Sequence, residues 1–180
     1  MRSDSTIRPA TPCDIVRAVE TLGHAFVDYP FFRHTVDVRD HRNRVHSLHS
    51  LYLTEVGMRC GKVWVSDDVS AVAVWATPAA NGLDLVLEAV AGKAAELHGD
   101  RAEIDARADE ATVVLHPSDP VWYLASVGVD PASQGRGLGR AVLQPGIEAA
   151  EAQSCPAYLE TCKPANVEFY QHLGSRSPGP

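Results

Sequence analysis

The run Gln134-Gly135-Arg136-Gly137-Leu138-Gly139-Arg140 follows an apolar stretch, VWYLASVGV (121–129), and leads into AVLQPGIEAAEA (141–152), which has the composition of a helix. Glycines let a backbone come close to a ligand. The N–H groups of a first helical turn, with the positive end of the helix dipole, attract anions. Strand, glycine loop and helix in that order suit a pyrophosphate. The spacing is G-x-G-x-G, without the acidic residue about 20 positions on that dinucleotide sites use. No Gly-Lys-Ser/Thr follows, so the loop is not a P-loop. A flexible turn is the other reading of the same glycines.

Other reactive side chains point to less. His46 and His49 lie three apart on a helical pattern and could share a metal, but no third ligand is evident, and a solvated histidine face without metal is expected. Cys13, Cys60, Cys155 and Cys162 have no C-x-x-C spacing, which favours reduced thiols, with Cys162 as a packing residue.

The elements that position the loop can be read around it. Thr11 caps a helix with Pro12 first and Asp14 third, and Ile15, Val19, Leu22 and Phe26 fall on one face. Asp28-Tyr29-Pro30 ends it, and an aromatic and polar loop follows. Val45, Leu48, Tyr52 and Val56 predict a second helix over 39–56. Lys62–Val65 and Val69–Ala76 predict a hairpin of two strands. Alanine, glutamate, leucine and arginine between Asn81 and Leu115 predict one or two helices broken near Gly99. A strand over 121–129, the glycine loop, a helix bent by Pro145-Gly146, and a parallel strand over Ala157–Thr161 complete the order.

Composition narrows the class. The 180 residues, 45% hydrophobic, suffice for one continuous core, so a single domain over 1–180 is expected. No apolar run is long enough to span a membrane, and the segment MRSDSTIRPA lacks a signal-peptide core, which predicts a cytoplasmic protein without membrane contact. A net charge of −7 disfavours nucleic acid and favours a cationic small molecule.

The pattern Val127-Gly-Val-Asp-Pro-x-x-Gln134-x-x-Gly137-x-Gly139 resembles the acyl-CoA motif of the GNAT acetyltransferase superfamily. The resemblance implies an α/β GNAT fold, a mixed central sheet with splayed parallel strands flanked by helices, and acetyl-CoA as cosubstrate with no metal. It implies that main-chain groups of Val127, Gly128 and Val129 meet the pantetheine arm. It implies further that residues Gln134, Gly135, Arg136, Gly137, Leu138, Gly139 and Arg140 hold the pyrophosphate. The segment 163–174 resembles the closing helix of the family, in which Asn166 bonds pantetheine and Tyr170 reaches the thioester sulfur.

AFVDYPFFRHTVD (25–37), GKVWV (61–65), AVAVW (71–75) and AYLET (157–161) look like the puromycin N-acetyltransferases. That likeness implies acetylation of the free amine of an aminonucleoside antibiotic, a resistance activity. Another small amine, or an acyl-CoA-binding module with weakened turnover, are the alternatives.

An amine must attack unprotonated and the departing thiolate must gain a proton, which assigns Tyr170 as general acid and Glu160 as base through water or as an attractor of a cation. Asp28 and Tyr29 are expected to touch the acceptor. In the family two more strands follow the position of Gly174, whereas here SRSPGP follows. An exposed sheet edge is therefore expected, either covered by a second copy in a homodimer or left open in a truncated, less stable protein.

Overall fold

The computed structural model describes residues 6–79 and 82–175. Of the sequence expectations, the first position of the helical stretch, Asn81, and most of the terminal SRSPGP lie outside these residues.

In chain order the elements are β1 (Ile7–Pro9), α1 (Ile15–Phe26), α2 (Pro30–Thr35), α3 (His41–Tyr52), α4 (Met58–Cys60), β2 (Gly61–Ser66), β3 (Ala71–Ala76), α5 (Leu83–His98), α6 (Ala102–Val113), β4 (Trp122–Val129), α7 (Leu138–Ala152), β5 (Ala157–Tyr158) and α8 (Pro164–Gln171). The sheet has order β1-β2-β3-β4-β5, antiparallel except for the parallel β4–β5 pair. The mixed sheet flanked by helices is the architecture expected.

Two halves of core lie on opposite faces of the sheet. Ala71, Ala73, Trp75, Trp122 and Leu124 pack on α7 through Leu138, Val142 and Leu143. Val63, Val65, Val72 and Val74 pack on Ala18 and Leu22 of α1. A third cluster, Val36, Val45, Leu48 and Ala94, ties α3 to α5.

Position 11 starts the first helical segment as expected. The N–H and hydroxyl of Thr11 both donate to the Asp14 carboxylate, at 2.7 and 2.8 Å, and Arg8 grips the same carboxylate through two 2.8 Å bonds. The Arg8 guanidinium holds Asp14 well below the usual carboxylate range. The link also fixes β1 against the start of α1.

Three expectations are corrected. Residues 30–35 form α2 rather than a loop, since Pro30 occupies the first turn of a helix, where its missing N–H does no harm. The helix expected over 39–56 is α3 followed by a π-helical turn, Leu53–Gly57. His49 is not on a solvated face: it is buried between the rings of Phe26 and Phe32, and burial lowers its imidazole to about 3, so it is neutral.

Pro145 lies inside α7, which runs through it to Ala152. The adjacent glycine explains the tolerance for this pair. A Cβ on Gly146 would stand 2.4 Å from the indole of Trp75, itself 2% exposed, so only glycine lets the helix lie this close to β3. Gly146→Ala gains about 1 kcal/mol of helix propensity. Overpacking against a ring with no room to move costs about 1–3 kcal/mol. A lower unfolding temperature is expected in thermal melts of Gly146→Ala, and a higher one would show that the ring yields.

Candidate active site

β4 carries the geometry that opens the sheet. Its pairing with β3 skips a residue, since Val74 faces Ser126 and Trp75 faces Leu124, leaving Ala125 as a bulge. The extra residue reverses the alternation, so Trp122 and Leu124 before it, and Val127 and Val129 after it, all turn to the α7 face. On the other edge, β5 pairs only at Trp122↔Ala157 and Tyr123↔Tyr158. Beyond these pairs the two strands part, while β4 continues to Val129.

The direction of the main-chain groups follows from one bond. Asp130 N–H donates to Ser70 O at 2.8 Å, so position 130 points its peptide groups toward the β3 side. Alternation then turns Gly128 the same way, and Val127 and Val129 toward the gap. The Val129 carbonyl is indeed off the β3 side, where it accepts from the Gln134 side-chain amide at 3.1 Å. The structure does not bring Gly128 to that open edge. Its missing Cβ instead admits α1, because an added Cβ would meet Leu22 at 3.0 Å and Ala25 at 3.1 Å.

Past Val129, Asp130 shapes the turn. Its carboxylate accepts from the Ala132 N–H at 3.0 Å and lies 3.3 Å from His24 Nδ1, contacts that hold it below the ordinary carboxylate range. Gly135 and Gly137 take φ of +76° and +82°, the left-handed region that other residues rarely adopt. Gly137 is also the residue preceding α7, whose buried Leu138 anchors the helix in the core. The Ala141 N–H is the first to return into the helix, to Gly137 O at 3.1 Å. Among the described residues, the N–H groups of positions 135–140 have no protein acceptor. Arg136 and Arg140 are exposed beside them.

Two of the remaining predicted residues, Tyr29 and Asn166, converge on Thr161. Its hydroxyl is 2.9 Å from Tyr29 Oη and 3.2 Å from Asn166 Nδ2. Tyr170, one turn beyond Asn166 on α8, is buried in the core cluster that includes Trp75, Trp122 and Leu143. Burial, with a smaller contribution from nearby Tyr29, pushes its phenol up to about 12. Its hydroxyl makes no side-chain hydrogen bond among the described residues, and it is not one of the sealed polar atoms left without a partner.

Glu160 lies apart from this group, because successive side chains leave an extended chain on opposite sides. It accepts from Tyr158 Oη at 2.8 Å and pairs with His116 Nε2 at 2.8 Å. Tyr123 and Tyr158 stack beside it, and burial raises both phenols to about 12. Asp109 is raised by burial and by the charge of Glu160. Asp28 is placed elsewhere: it is exposed on the outer surface and ion-paired with Arg33. Cys162, expected as a packing residue, is exposed. His116, Asp109 and Thr161 went unnoticed in the sequence, Asp109 because it falls in a stretch that otherwise reads as plain helix. No group of three or more metal-ligating side chains occurs among the described residues.

An open strand edge beside a loop of free amides now has a family to compare with. The acetyltransferase (GNAT) family model matches residues 102–174, which span α6, β4, the glycine loop, α7, β5 and α8. The fold is that of the GNAT acetyltransferases. An uncharacterized N-acetyltransferase of Schizosaccharomyces pombe, C550.08, is 24% identical over 174 residues, covering 89% of this chain and 70% of the relative. A crystal structure of histone acetyltransferase HPA2 and related acetyltransferase from Corynebacterium glutamicum superposes with a TM-score of 0.71 at 25% identity, covering 94% of this chain and 83% of that one. The crystal structure of mosquito "arylalkylamine N-acetyltransferase like 5b" shares the fold at a TM-score of 0.56 and 15% identity, covering 97% of this chain and 84% of that one. The matched segment is less than half of the chain, and members of the family it models use acetyl-CoA as cosubstrate. The free amides and the open edge of β4 suit the diphosphate and the amide-bearing arm of that cosubstrate. Among the described residues, no helix is long and apolar enough to cross a membrane.

Proposed function

We propose that this single domain transfers an acetyl group from acetyl-CoA directly to a small-molecule amine. The observation that carries the reading is the pairing of two sets of main-chain groups. Val127 and Val129 point their peptide groups into the β4–β5 gap. At the end of that edge stand the unbonded amides of 135–140. A linear ligand with amides at one end and a diphosphate at the other matches both. Oδ1 of Asn166, whose Nδ2 is held by Thr161, adds an acceptor near the same gap.

Tyr170 is the proton donor to the departing sulfur. A phenol near 12 is protonated at any working pH, so it cannot serve as base. Full transfer to a thiolate of ordinary pKa, about 8.5, is uphill by roughly 5 kcal/mol. Tyr170 therefore acts first by donating a hydrogen bond to the growing negative charge.

The acceptor is the free amine of puromycin or a related aminonucleoside, a reading supported by the sequence likeness around Tyr29 and Glu160. An α-amine of pKa about 7.7–8.0 is roughly a tenth to a fifth neutral at pH 7, so it needs little help from a base. Glu160, with the stacked Tyr123 and Tyr158, offers a carboxylate and aromatic faces to a cationic amine. Asp28 has no part in this site.

Thiol release from acetyl-CoA, measured with puromycin, polyamines, amino-acid amides and aryl amines, is the test. Puromycin is expected to be turned over with the highest kcat/KM. Preference for another amine would reassign the acceptor, and CoA binding without release from any amine would reduce the protein to an acyl-CoA-binding module.

A further inference from the structure

Thr161 Oγ1 has one proton and two lone pairs. Two N–H donors point at it, Asn166 Nδ2 at 3.2 Å and the Lys163 main chain at 3.4 Å. They occupy its lone pairs, which leaves its proton for the third neighbour, Tyr29 Oη at 2.9 Å. Thr161 is then the donor and Tyr29 the acceptor. The phenolic proton of Tyr29 must be directed elsewhere.

The surroundings say where. Tyr29 ends the segment after α1 and is half-buried, with the edge of Phe26 packed on it at a ring distance of 5.3 Å. The titratable groups that act on it are the thiol of Cys162 and, across the same space, the phenol of Tyr170. Cys162 is exposed and sulfur accepts weakly. Apart from Thr161 Oγ1, whose lone pairs the two N–H groups take, no oxygen or nitrogen acceptor for the Tyr29 proton occurs among the described residues, and the Cys162 thiol is its remaining hydrogen-bonding neighbour.

We propose that Thr161 is a positioning residue that receives two N–H groups from the α8 end, donates its own proton to Tyr29, and so aims the Tyr29 hydroxyl into the β4–β5 gap as a donor to a lone pair of the acyl thioester. The identity of that ligand rests on the acetyl-CoA reading. The direction of the Thr161–Tyr29 bond does not.

The sign of a titration shift decides the direction. A hydrogen bond donated to a phenol oxygen stabilises the phenolate, whereas one donated by the phenol stabilises the neutral form. In ligand-free protein labelled at tyrosine Cζ, the Tyr29 resonance is assigned by its loss in Tyr29→Phe and followed against pH. The background is Cys162→Ala, which removes the neighbouring thiol. Thr161→Val is expected to raise the Tyr29 pKa by about half to one pH unit. Thr161→Ser should restore it, and Thr161→Ala serves should the valine variant not fold. A fall in the Tyr29 pKa would mean that Tyr29 donates to Thr161 and would overturn the proposal.

Kinetics test the ligand. Thr161→Val is expected to lower kcat several-fold with little change in KM for acetyl-CoA, and to have no further effect on top of Tyr29→Phe. An equal loss in both backgrounds overturns the link through Tyr29. Absence of acyl transfer by the unmodified protein would remove the thioester as the ligand, while the titration still decides the hydrogen bond.

Discussion

Replacing Tyr170 by phenylalanine is expected to lower the rate of thiol release about 10- to 100-fold while leaving CoA affinity and folding nearly unchanged. The size follows from the bond lost. A hydrogen bond to a charged acceptor is worth about 1.5–3 kcal/mol, and here the charge on sulfur exists only as the thioester breaks. The folded protein gives up little, because the hydroxyl bonds to no described residue and the ring, 8% exposed, keeps its place in the buried cluster. The pH profile adds a second check. With its phenol near 12, Tyr170 stays protonated below about pH 10, so the rise in rate between pH 6 and 9 should track deprotonation of the amine in both proteins. A Tyr170→Phe protein with undiminished turnover would remove this residue from the chemistry.

Periodicity made much of this fold legible. Val19, Leu22 and Phe26 do line α1, the hairpin forms where β-branched residues cluster, and the helices of 83–113 break at Gly99, which takes φ of +63°. What failed did so for physical reasons. α2 has six residues, too few to show a repeat, and a proline that ends one helix can equally open the next, as Pro30 does. α3 packs on both α1 and α5, so its buried face is wider than an apolar stripe and takes in His41 and His49, while Tyr52 stays 39% exposed.

The candidate site divides similarly. The loop was legible because backbone binding needs glycines at fixed places, and Gly135 and Gly137 hold the positive φ values that make the requirement local. Side-chain groupings were not, since they depend on which way an extended chain turns. Glu160 and Thr161 are neighbours in sequence, yet one faces His116 and Tyr158 while the other faces Tyr29 and Asn166. Asp28 and Tyr29 part in the same way, the first paired with Arg33 outside, the second joined to Thr161. The β5 strand is shorter than its sequence suggests for a related reason: beyond Tyr158 it leaves β4, and that departure is what opens the gap.

Gly137→Val is expected to weaken CoA binding about 10- to 100-fold, read by calorimetry. At φ of +82° a β-branched residue meets its own backbone, a strain of about 1–3 kcal/mol. Nothing else in the protein opposes the substitution, because a Cβ at 137 would meet no atom within 4 Å. The loop can therefore relieve the strain by changing its conformation, which turns the amides of 135–140 away from their common direction. Gly139→Ala separates this cause from crowding of the ligand. Position 139 has no positive φ, and its Cβ would make ordinary contacts of 3.7 Å with Phe169 and Val129, so the backbone is unstrained. Any loss of affinity in Gly139→Ala then measures how closely the ligand passes over the first turn of α7. If Gly137→Val binds CoA as tightly as the unmodified protein, the diphosphate is not held by these amides.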